Sequence, residues 1–194
     1  SRMVAKQYRT LHHEILMSRG NYLEEMQRVI SFKDAPLGVP NEVPLAVMSK
    51  ELKKNITVVL SGEGADELMG GYGRIFRSPF DYENDNPKES FYDYFIRKYE
   101  YVPRSFRDEF LTGSLRRREA FDEKIRQKFS DRENEYNVFS FFHKYHIKGL
   151  LQRVDTTTML ASVEARVPFL DHELIEYVYE NVPCQMKLKC KSGK

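Results

Sequence analysis

Three acidic side chains lie within a glycine-rich stretch that directly follows an apolar run, VVLSGEGADELMGGY at residues 58–72. They are Glu63, Asp66 and Glu67. Carboxylates beside a nucleotide repel its phosphates unless they hold a metal ion, so the pattern favours Asp66 or Glu67 as a Mg²⁺ ligand. Acids are equally typical of the first turn of a helix, where they complement the helix dipole. The spacing alone leaves both interpretations open.

The small residues of this stretch indicate where a ligand could approach the backbone. Ser61 and Gly62 follow the apolar run, and Gly64 follows Glu63. If the run is a strand of a parallel sheet, it ends at the carboxyl edge of the sheet, where ligands of open α/β folds bind. The spacing matches neither GxGxxG nor GxxxxGKS, which excludes a Rossmann fingerprint and a P-loop.

The elements that must position these residues follow from hydrophobic periodicity. Residues 56–60 are rich in β-branched side chains and end at a Ser-Gly turn, which predicts a buried strand. Upstream, residues 13–17 are typical of a short strand, whereas residues 22–30 and 41–54 have helical spacing. Strands that alternate with helices favour an α/β fold with a parallel sheet.

Beyond residue 80 the pattern becomes helical, and no strand is predicted. Residues 81–88 have the composition of a polar loop. Three series of apolar residues then recur at helical spacing: Phe91, Phe95 and Tyr99; Phe121, Ile125 and Phe129; Phe139, Phe142, His146 and Leu150. Such stripes are typical of a core rather than of a cofactor pocket. We therefore divide the chain into an α/β part at 1–80 and a helical continuation at 81–194.

The composition argues against several classes of partner. Lys and Arg number 31 against 29 for Asp and Glu, and a net charge of +2 gives no reason to expect nucleic acid or an anionic membrane. The short basic run at 116–118 is typical of a solvated helix face. No stretch approaches the roughly 20 apolar residues of a membrane span. Cys184 and Cys190 fit neither a zinc knuckle nor a CxxC pair, so we expect free thiols in a cytoplasmic protein.

Two further groups of polar residues lie in the C-terminal half. Glu164, Arg166 and Asp171 belong to an apolar segment, where an acid–base pair is more typical of a buried structural ion pair than of an active site. His143 and His146 are three residues apart on a predicted helix, but no carboxylate completes a metal set beside them. We expect hydrogen-bonded histidines rather than metal ligands.

The glycine-rich stretch resembles a motif of the asparagine synthetase family. The usual form is Ser-Gly-Glu-Gly-x-Asp-Glu-x-Phe-Gly-Gly-Tyr, and here only Met69 replaces the usual aromatic residue. Residues 154–159 and 162–174 resemble the family's later block, commonly Val-Asp-Arg-x-Ser-Met followed by Leu-Glu-Ala-Arg-Val-Pro-Phe-Leu-Asp. Both motifs occur in the family's order, and the resemblance extends over most of the chain.

This resemblance implies an ATP-dependent reaction in two halves. A substrate carboxylate attacks the α-phosphate of ATP to form an acyl-adenylate, and ammonia then displaces AMP. Ser61 and Gly62 are implied to contact the nucleotide. Glu63 is implied to organise the intermediate and assist amine attack, and Asp66 to ligate Mg²⁺ on the pyrophosphate. ATP and Mg²⁺ are therefore the implied cofactors.

The resemblance also implies an incomplete fold. It predicts part of a parallel sheet of the ATP-pyrophosphatase (adenine nucleotide alpha hydrolase-like) type, followed by a mainly helical region. Neither the family's Ser-Gly-Gly-x-Asp-Ser phosphate loop nor the N-terminal cysteine of its glutaminase domain occurs in this sequence. Threonines at 156–158 follow Asp155, so any family role of an arginine there is lost or moved. We expect the C-terminal part of a synthetase domain, whose partners include the missing parts of its own synthetase and glutaminase domains.

The acceptor stays open within the family. Aspartate with glutamine-derived ammonia is the default, whereas other relatives amidate sugar acids or close β-lactam rings. Glu67, Asp155 and Arg166 are further candidate site residues. The resemblance is compatible with a homodimer. A non-catalytic helical interaction module is the alternative from a different class of protein.

Overall fold

The computed structural model describes residues 1–110, 119–129 and 132–188. This part of the chain is mostly helical and contains one two-stranded parallel sheet, so the predicted α/β class is confirmed at that level. The basic run at 116–118 and Cys190 lie outside the described residues. In the described part, no helix combines the length and the apolar character that crossing a bilayer requires.

The chain divides into two compact units, each formed by two stretches of sequence. The first unit consists of residues 1–61 and 151–166, and the second of residues 62–150 and 167–194. The division predicted at residue 80, between an α/β part and a helical continuation, stays a prediction.

Helices make up most of the chain order, and the two strands lie far apart in it. Up to residue 100 the elements are α1 (Arg2–Tyr8), α2 (Arg19–Lys33), α3 (Glu42–Leu52), β1 (Val58–Leu60), α4 (Ala65–Met69), α5 (Gly73–Phe76), α6 (Ser78–Asp85) and α7 (Phe91–Tyr99). Those that follow are α8 (Arg104–Phe110), α9 (Glu119–Lys128), α10 (Asn134–Phe141), a π-helix (Phe142–His146), α11 (Ile147–Met159), β2 (Glu164–Arg166), a 3-10 helix (Pro168–Leu170), α12 (His172–Asn181) and α13 (Cys184–Lys187).

The first unit is built on the packing of α2 against α3. Ser18 caps α2, because its hydroxyl accepts a hydrogen bond from the backbone N–H of Asn21 at 3.2 Å. Val29 from α2 is buried, as are Val43 and Ala46 from α3. Burying a valine side chain contributes about 1.5–3 kcal/mol, so these buried residues stabilise the packing of the two helices. Both helices predicted in this region are confirmed.

The sheet of the first unit is small and open. β1 and β2 pair in parallel, with Val58 opposite Glu164 and Leu60 opposite Arg166. The strand predicted at 56–60 is therefore shorter than expected, and it is not buried, since 71% of Leu60 is exposed. The prediction that no strand follows residue 80 was wrong. Glu-Ala-Arg has a weak strand propensity, and β2 forms because β1 supplies its hydrogen-bonding partner.

Residues 13–17 form no strand, which corrects a second prediction. Ile15 and Leu16 in this segment are exposed. A strand satisfies its backbone groups only through a neighbouring strand, and the sheet of the described residues contains β1 and β2 alone. The apolar pattern was misleading because it carries no information about a partner.

The second unit has an aromatic core. Phe76, Phe95, Phe139 and Phe142 are almost completely buried. The ring centroid of Phe76 lies 4.6 Å from those of Phe139 and Phe142, and that of Phe95 lies 5.0 Å from that of Phe141. Tilted and edge-to-face pairs at such distances are the arrangements that aromatic rings prefer. The prediction that the aromatic stripes form a core is confirmed for the described residues.

The segment at 81–88 is mostly helical rather than a polar loop, because α6 extends to Asp85. Pro79 lies in the first turn of α6, where proline fits a helix well. The ring of Tyr82 packs edge-on against Phe91 with a centroid distance of 5.3 Å. Tyr82 also packs edge-on against Tyr94 at 5.3 Å, and Phe80 of the same helix packs against the core. The loop prediction was wrong because these apolar contacts anchor a helix whose remaining side chains are mostly polar.

A buried ion pair fixes the loop between α2 and α3. Glu42 is only 1% exposed, and its carboxylate accepts hydrogen bonds from Lys33 Nζ at 2.9 Å and from the backbone N–H of Gly38 at 2.7 Å. The backbone N–H of Val39 donates a further bond at 3.3 Å. Burial alone would raise the pKa of Glu42, but these donors outweigh it and hold that pKa below its ordinary value.

The ion pair predicts a loss of stability in acid. Because the pKa of Glu42 is lower in the folded chain, its contribution is present above the ordinary pKa and is lost as pH falls through the folded value. We expect Glu42→Gln to lower the free energy of unfolding by about 1–3 kcal/mol near neutral pH. The difference from the wild type should shrink between about pH 5 and pH 3 in urea denaturation.

Glu51→Gln is the matched control for this prediction. Glu51 lies on α3, is exposed, and pairs with Lys54 on the surface. Exposed pairs contribute at most about 1 kcal/mol, so this variant should change little. A Glu42→Gln deficit that stays constant down to pH 3 would contradict the assignment.

Candidate functional site

In the first unit, the structure brings Ser61 and Arg166 together at the carboxyl ends of the two parallel strands. The backbone N–H of Ser61 donates to the carbonyl of Arg166 at 2.8 Å, which continues the ladder by one bond beyond β1. The Arg166 side chain is exposed, and its Nε donates to Glu164 Oε1 at 2.9 Å. The expected ion pair therefore exists but is exposed, which corrects the prediction of a buried pair.

Asp155 and Asp171, two further acids of the C-terminal half, lie in different local environments. Asp155 is exposed on α11, and its carboxylate has no hydrogen-bond or ion-pair partner among the residues that the structure describes. Asp171 caps α12, since its Oδ1 accepts from the backbone N–H groups of Glu173 at 3.0 Å and Leu174 at 3.2 Å. Asp171 thus has a structural role, and a site role for Asp155 stays a prediction.

In the second unit, the chain turns sharply through Gly62 and Gly64 into α4. Gly64 has φ +95°, and a Cβ added there would lie 2.4 Å from Leu170 Cδ2. Only glycine adopts this conformation without strain, and the side chain of Leu170 fills the space that a larger residue would need. Gly62 is exposed, and an added Cβ would meet no heavy atom within 4 Å. The turn is therefore tightly packed at one glycine and open at the other.

The three acids of the motif lie in three different environments. Glu63 is half-buried in the turn, whereas Asp66 is exposed in the first turn of α4. Glu67, the next residue, is only 1% exposed. Successive residues of a helix point about 100° apart, so the helix separates these two neighbouring carboxylates. Asp66 and Glu67 both lie where acids complement a helix dipole, so this interpretation also remains compatible with the geometry.

Glu67 belongs to a polar network inside the aromatic core. The hydroxyl of Tyr72 donates to Glu67 Oε1 at 2.6 Å, and His146 Nε2 lies 3.8 Å from the same oxygen. On the other side of the imidazole, His146 Nδ1 lies 2.9 Å from the hydroxyl oxygen of Tyr99. Burial, and after it the Glu67 carboxylate, raises the pKa of the Tyr72 phenol, so Tyr72 remains a hydrogen-bond donor.

The sequence patterns did not assign Tyr72 and Tyr99 to this network. Tyr72 ends the glycine-rich motif, and that position was the one available signal. Tyr99 and His146 belong to separate helices, so no local pattern joins them to Glu67. His143 makes its own contacts, with Nδ1 2.7 Å from the hydroxyl of Tyr179. The expectation of hydrogen-bonded histidines in the helical region is thus confirmed for both residues.

The double glycine at the end of α4 leaves room for the Asp66 side chain. Gly70 has φ +76° and ends the helix, and the backbone N–H of Gly71 donates to the carbonyl of Asp66 at 2.8 Å. A Cβ added at Gly71 would lie 2.1 Å from Asp66 Oδ1. The Asp66 carboxylate therefore occupies the space that the missing side chain of Gly71 leaves open.

Comparisons with known proteins agree with the motif. A family model described as asparagine synthase matches residues 1–194. Asparagine synthetase (glutamine-hydrolyzing) 3 of Bacillus subtilis (strain 168) is 29% identical over 92% of this chain and 29% of its own length. Asparagine synthetase (glutamine-hydrolyzing) 1 of the same organism is 26% identical over 90% of this chain and 32% of its own. For asparagine synthetase (glutamine-hydrolyzing) 1 of Saccharomyces cerevisiae the identity is 24%, over 100% of this chain and 26% of that protein. The chain thus spans less than a third of each of these relatives.

Proposed function

Because this chain belongs to the asparagine synthase family, we propose that it forms part of the synthetase domain of an ATP-dependent amide-forming ligase. In the proposed reaction, a carboxylate oxygen of the substrate bonds to the α-phosphorus of ATP, and pyrophosphate leaves. The nitrogen of ammonia then bonds to the acyl carbon, and AMP leaves with the bonding electron pair. The names of the relatives support aspartate as the acceptor and glutamine as the source of ammonia.

The open backbone at Gly62 is the observation that carries this proposal. No heavy atom lies within 4 Å of an added Cβ there, and Ser61 precedes it at the end of a parallel strand. Backbone N–H groups in such turns bind phosphate oxygens well. The backbone N–H of Ser61 already bonds to the carbonyl of Arg166, so we assign the contacts with ATP to the Ser61 hydroxyl and the Gly62 backbone.

Asp66 fits the role of a Mg²⁺ ligand. Mg²⁺ is usually held through one or two carboxylates together with substrate phosphates. The Asp66 carboxylate is exposed and follows the open turn by a few residues, so it is available for such a contact. When bound, Mg²⁺ compensates the charge of the departing pyrophosphate. Glu67 is less suited, because its carboxylate is buried against Tyr72.

Glu63 is assigned the proton transfer. It is the acid between two glycines of the turn, and it is half-buried. A carboxylate there can accept the proton that the amine nitrogen loses when it bonds to the acyl carbon. The turn would then supply nucleotide contacts from its backbone and proton transfer from its one acidic side chain.

The exposed sheet supports a place within a larger domain. Parallel sheets are nearly always covered on both faces, yet Val58 and Leu60 are exposed. The relatives are each more than three times as long as the segment they share with this chain. We propose that further strands and helices of the ATP-pyrophosphatase type cover β1 and β2, and that a glutaminase domain delivers the ammonia.

The proposal is tested by assaying the full-length protein with ATP, Mg²⁺, aspartate and ammonia. We expect asparagine, AMP and pyrophosphate in equal amounts. Pyrophosphate release with another carboxylic acid, but not with aspartate, would support the proposed ligase activity and show that its acceptor is not aspartate. An absence of pyrophosphate with every carboxylate offered would reject the proposed ligase activity.

The 194-residue chain, whose sequence lacks the family's phosphate loop, should bind ATP with Mg²⁺ weakly or not at all in calorimetric titration.

Gly71→Ala should weaken the response to Mg²⁺. The new methyl group would lie 2.1 Å from Asp66 Oδ1, so the carboxylate must move from its position. Since φ of Gly71 is not positive, the backbone should tolerate alanine. We expect the Mg²⁺ concentration that gives half-maximal activity to rise by about tenfold, which corresponds to 1.4 kcal/mol of binding.

Gly73→Ala is the matched control for Gly71→Ala. Gly73 directly follows the glycine-rich stretch, as the first residue of α5, and a Cβ added there would meet no heavy atom within 4 Å. Its Mg²⁺ dependence should match the wild type. Equal Mg²⁺ dependence in both variants would mean that the position of the Asp66 carboxylate does not matter for the reaction.

A further inference from the structure

A basic pocket lies entirely in the second unit, beside the C-terminal end of α9 and along α10 and the π-helix. Its volume is about 270 Å³. Three cationic and three aromatic side chains among its lining define the basic pocket: Lys128, Arg132, Lys144, Phe129, Tyr136 and Tyr145. None of these residues belongs to the glycine-rich motif, so the pocket shares no residue with the proposed nucleotide contacts.

The charge of this pocket is unbalanced. Its lining includes no aspartate or glutamate. Within the described part of the chain, Lys128, Arg132 and Lys144 have no carboxylate partner, whereas Arg126 on the same α9 pairs with Asp93 through two bonds of 2.8 Å. Three cationic side chains that line one pocket, with no acid in that lining, repel one another, and an anion bound in the pocket lowers that cost.

The pocket is braced by a buried amide. Asn137 is 4% exposed, and its Nδ2 donates to the carbonyl of Phe129 at 2.8 Å and to that of Arg132 at 2.8 Å. It thereby ties the residues at which α9 ends to those that precede α10. The guanidinium of Arg132 lies 4.4 Å from the ring centroid of Tyr136, a cation–π distance. A cation held in this way is positioned before a ligand arrives.

The π-helix contributes the remaining wall. π-helical turns are rare and often occur at functional sites. Here the turn comprises Phe142–His146. It supplies Lys144 and Tyr145 to the basic pocket, while it buries Phe142 in the core and brings His146 to Glu67.

We propose that the basic pocket binds a small organic phosphate, with the phosphate at the three cations and a flat apolar body against the aromatic rings. A doubly charged phosphate monoester matches the excess of positive charge better than a single carboxylate does. The cavity of about 270 Å³ lies just below the usual range for ligand pockets, about 300–1,000 Å³, so it suits only a small ligand. This inference does not depend on the proposed ligase activity.

Calorimetric titration of the chain with phenyl phosphate tests this inference. We expect a Kd below about 1 mM, and binding at least about tenfold weaker for inorganic phosphate and for phenol, which each lack one half of the probe. The double variant Lys128→Gln and Lys144→Gln should bind phenyl phosphate about tenfold more weakly or worse, because each lysine loses a charge-assisted hydrogen bond. Both lysines are exposed, so the core is untouched.

The matched control is the double variant Lys124→Gln and Lys148→Gln. These exposed lysines lie one helical turn from Lys128 and Lys144 and do not line the pocket. The control has the same change in net charge and should bind phenyl phosphate as the wild type does. If both double variants bound phenyl phosphate equally weakly, the loss would come from the change in net charge rather than from the pocket, and the inference would be overturned. Absence of binding by the wild type at millimolar phenyl phosphate would overturn it as well.

Discussion

Glu63→Gln in the full-length protein is expected to lower the rate of amide formation by about 10²–10⁴-fold, the usual contribution of a positioned general base. Glutamine has nearly the same shape as glutamate but cannot accept the proton of the attacking amine. Glu63 is half-buried in an open turn, so the melting temperature should stay within a few degrees of the wild type. Exchange of labelled pyrophosphate into ATP separates the two halves of the reaction. If Glu63 acts only in the second half, exchange should persist while amide formation is lost.

Glu176→Gln provides the comparison for Glu63→Gln. Glu176 is exposed on α12 and outside the motif, so its neutralisation should leave both half-reactions unchanged. Amide formation near the wild-type rate in Glu63→Gln would remove this residue from the chemistry. The dipole interpretation of the acids would then account for their presence in the motif.

Gly64→Ala is expected to destabilise the second unit by about 2–5 kcal/mol. A positive φ costs a non-glycine residue about 1–2 kcal/mol. In addition, the new Cβ would lie 2.4 Å from Leu170 Cδ2 and 2.5 Å from Leu170 Cγ, and forcing a side chain out of its place costs about 1–3 kcal/mol. Urea denaturation of the chain, followed by circular dichroism, measures the loss.

Gly62→Ala should separate stability from function. It has no steric obstacle within 4 Å and no positive φ, so its free energy of unfolding should stay within about 0.5 kcal/mol of the wild type. Its methyl group would nevertheless occupy the space assigned to ATP, and the KM for ATP of the full-length protein should rise.

A Leu170→Ala background tests the steric part of the Gly64→Ala prediction. In that background, Gly64→Ala should lower the free energy of unfolding only by its backbone strain. An equal loss of unfolding free energy in both backgrounds would show that the Leu170 side chain moves aside without a measurable penalty.

The parts of the fold that could be predicted are those whose cause is local. The helix near Asp66 follows from a glycine turn with acids in the first turn, and the aromatic core follows from helical spacing. The strands were less predictable, because the pairing of a strand and the burial of its faces depend on residues that are distant in the sequence. Residues 13–17 have a strand-like pattern but no neighbouring strand to pair with in the described sheet. Residues 164–166 have a weak strand pattern, but β1 lies beside them and pairs with them.

The candidate site was only partly predictable for the same reason. The pattern placed Asp66 and Glu67 together as possible metal ligands, but the direction in which each carboxylate points depends on the phase of α4. Glu67 turns inward because Tyr72 and His146 contact it. His146 comes from a helix that begins far along the chain, and no periodicity within the motif could have named it.

The π-helix between α10 and α11 is equivalent to one residue inserted into an otherwise continuous helix. An inserted residue normally enlarges a loop, but here the helix absorbs it and shifts the phase of the following turns by about 100°. Deleting residue 142 or 143 should therefore return the segment to α-helical register without breaking it. That deletion would turn His146 away from Glu67 and Lys144 away from the basic pocket at the same time. A relative that aligns here with a single-residue gap, inside a helix rather than in a loop, is thus expected to lack both features together.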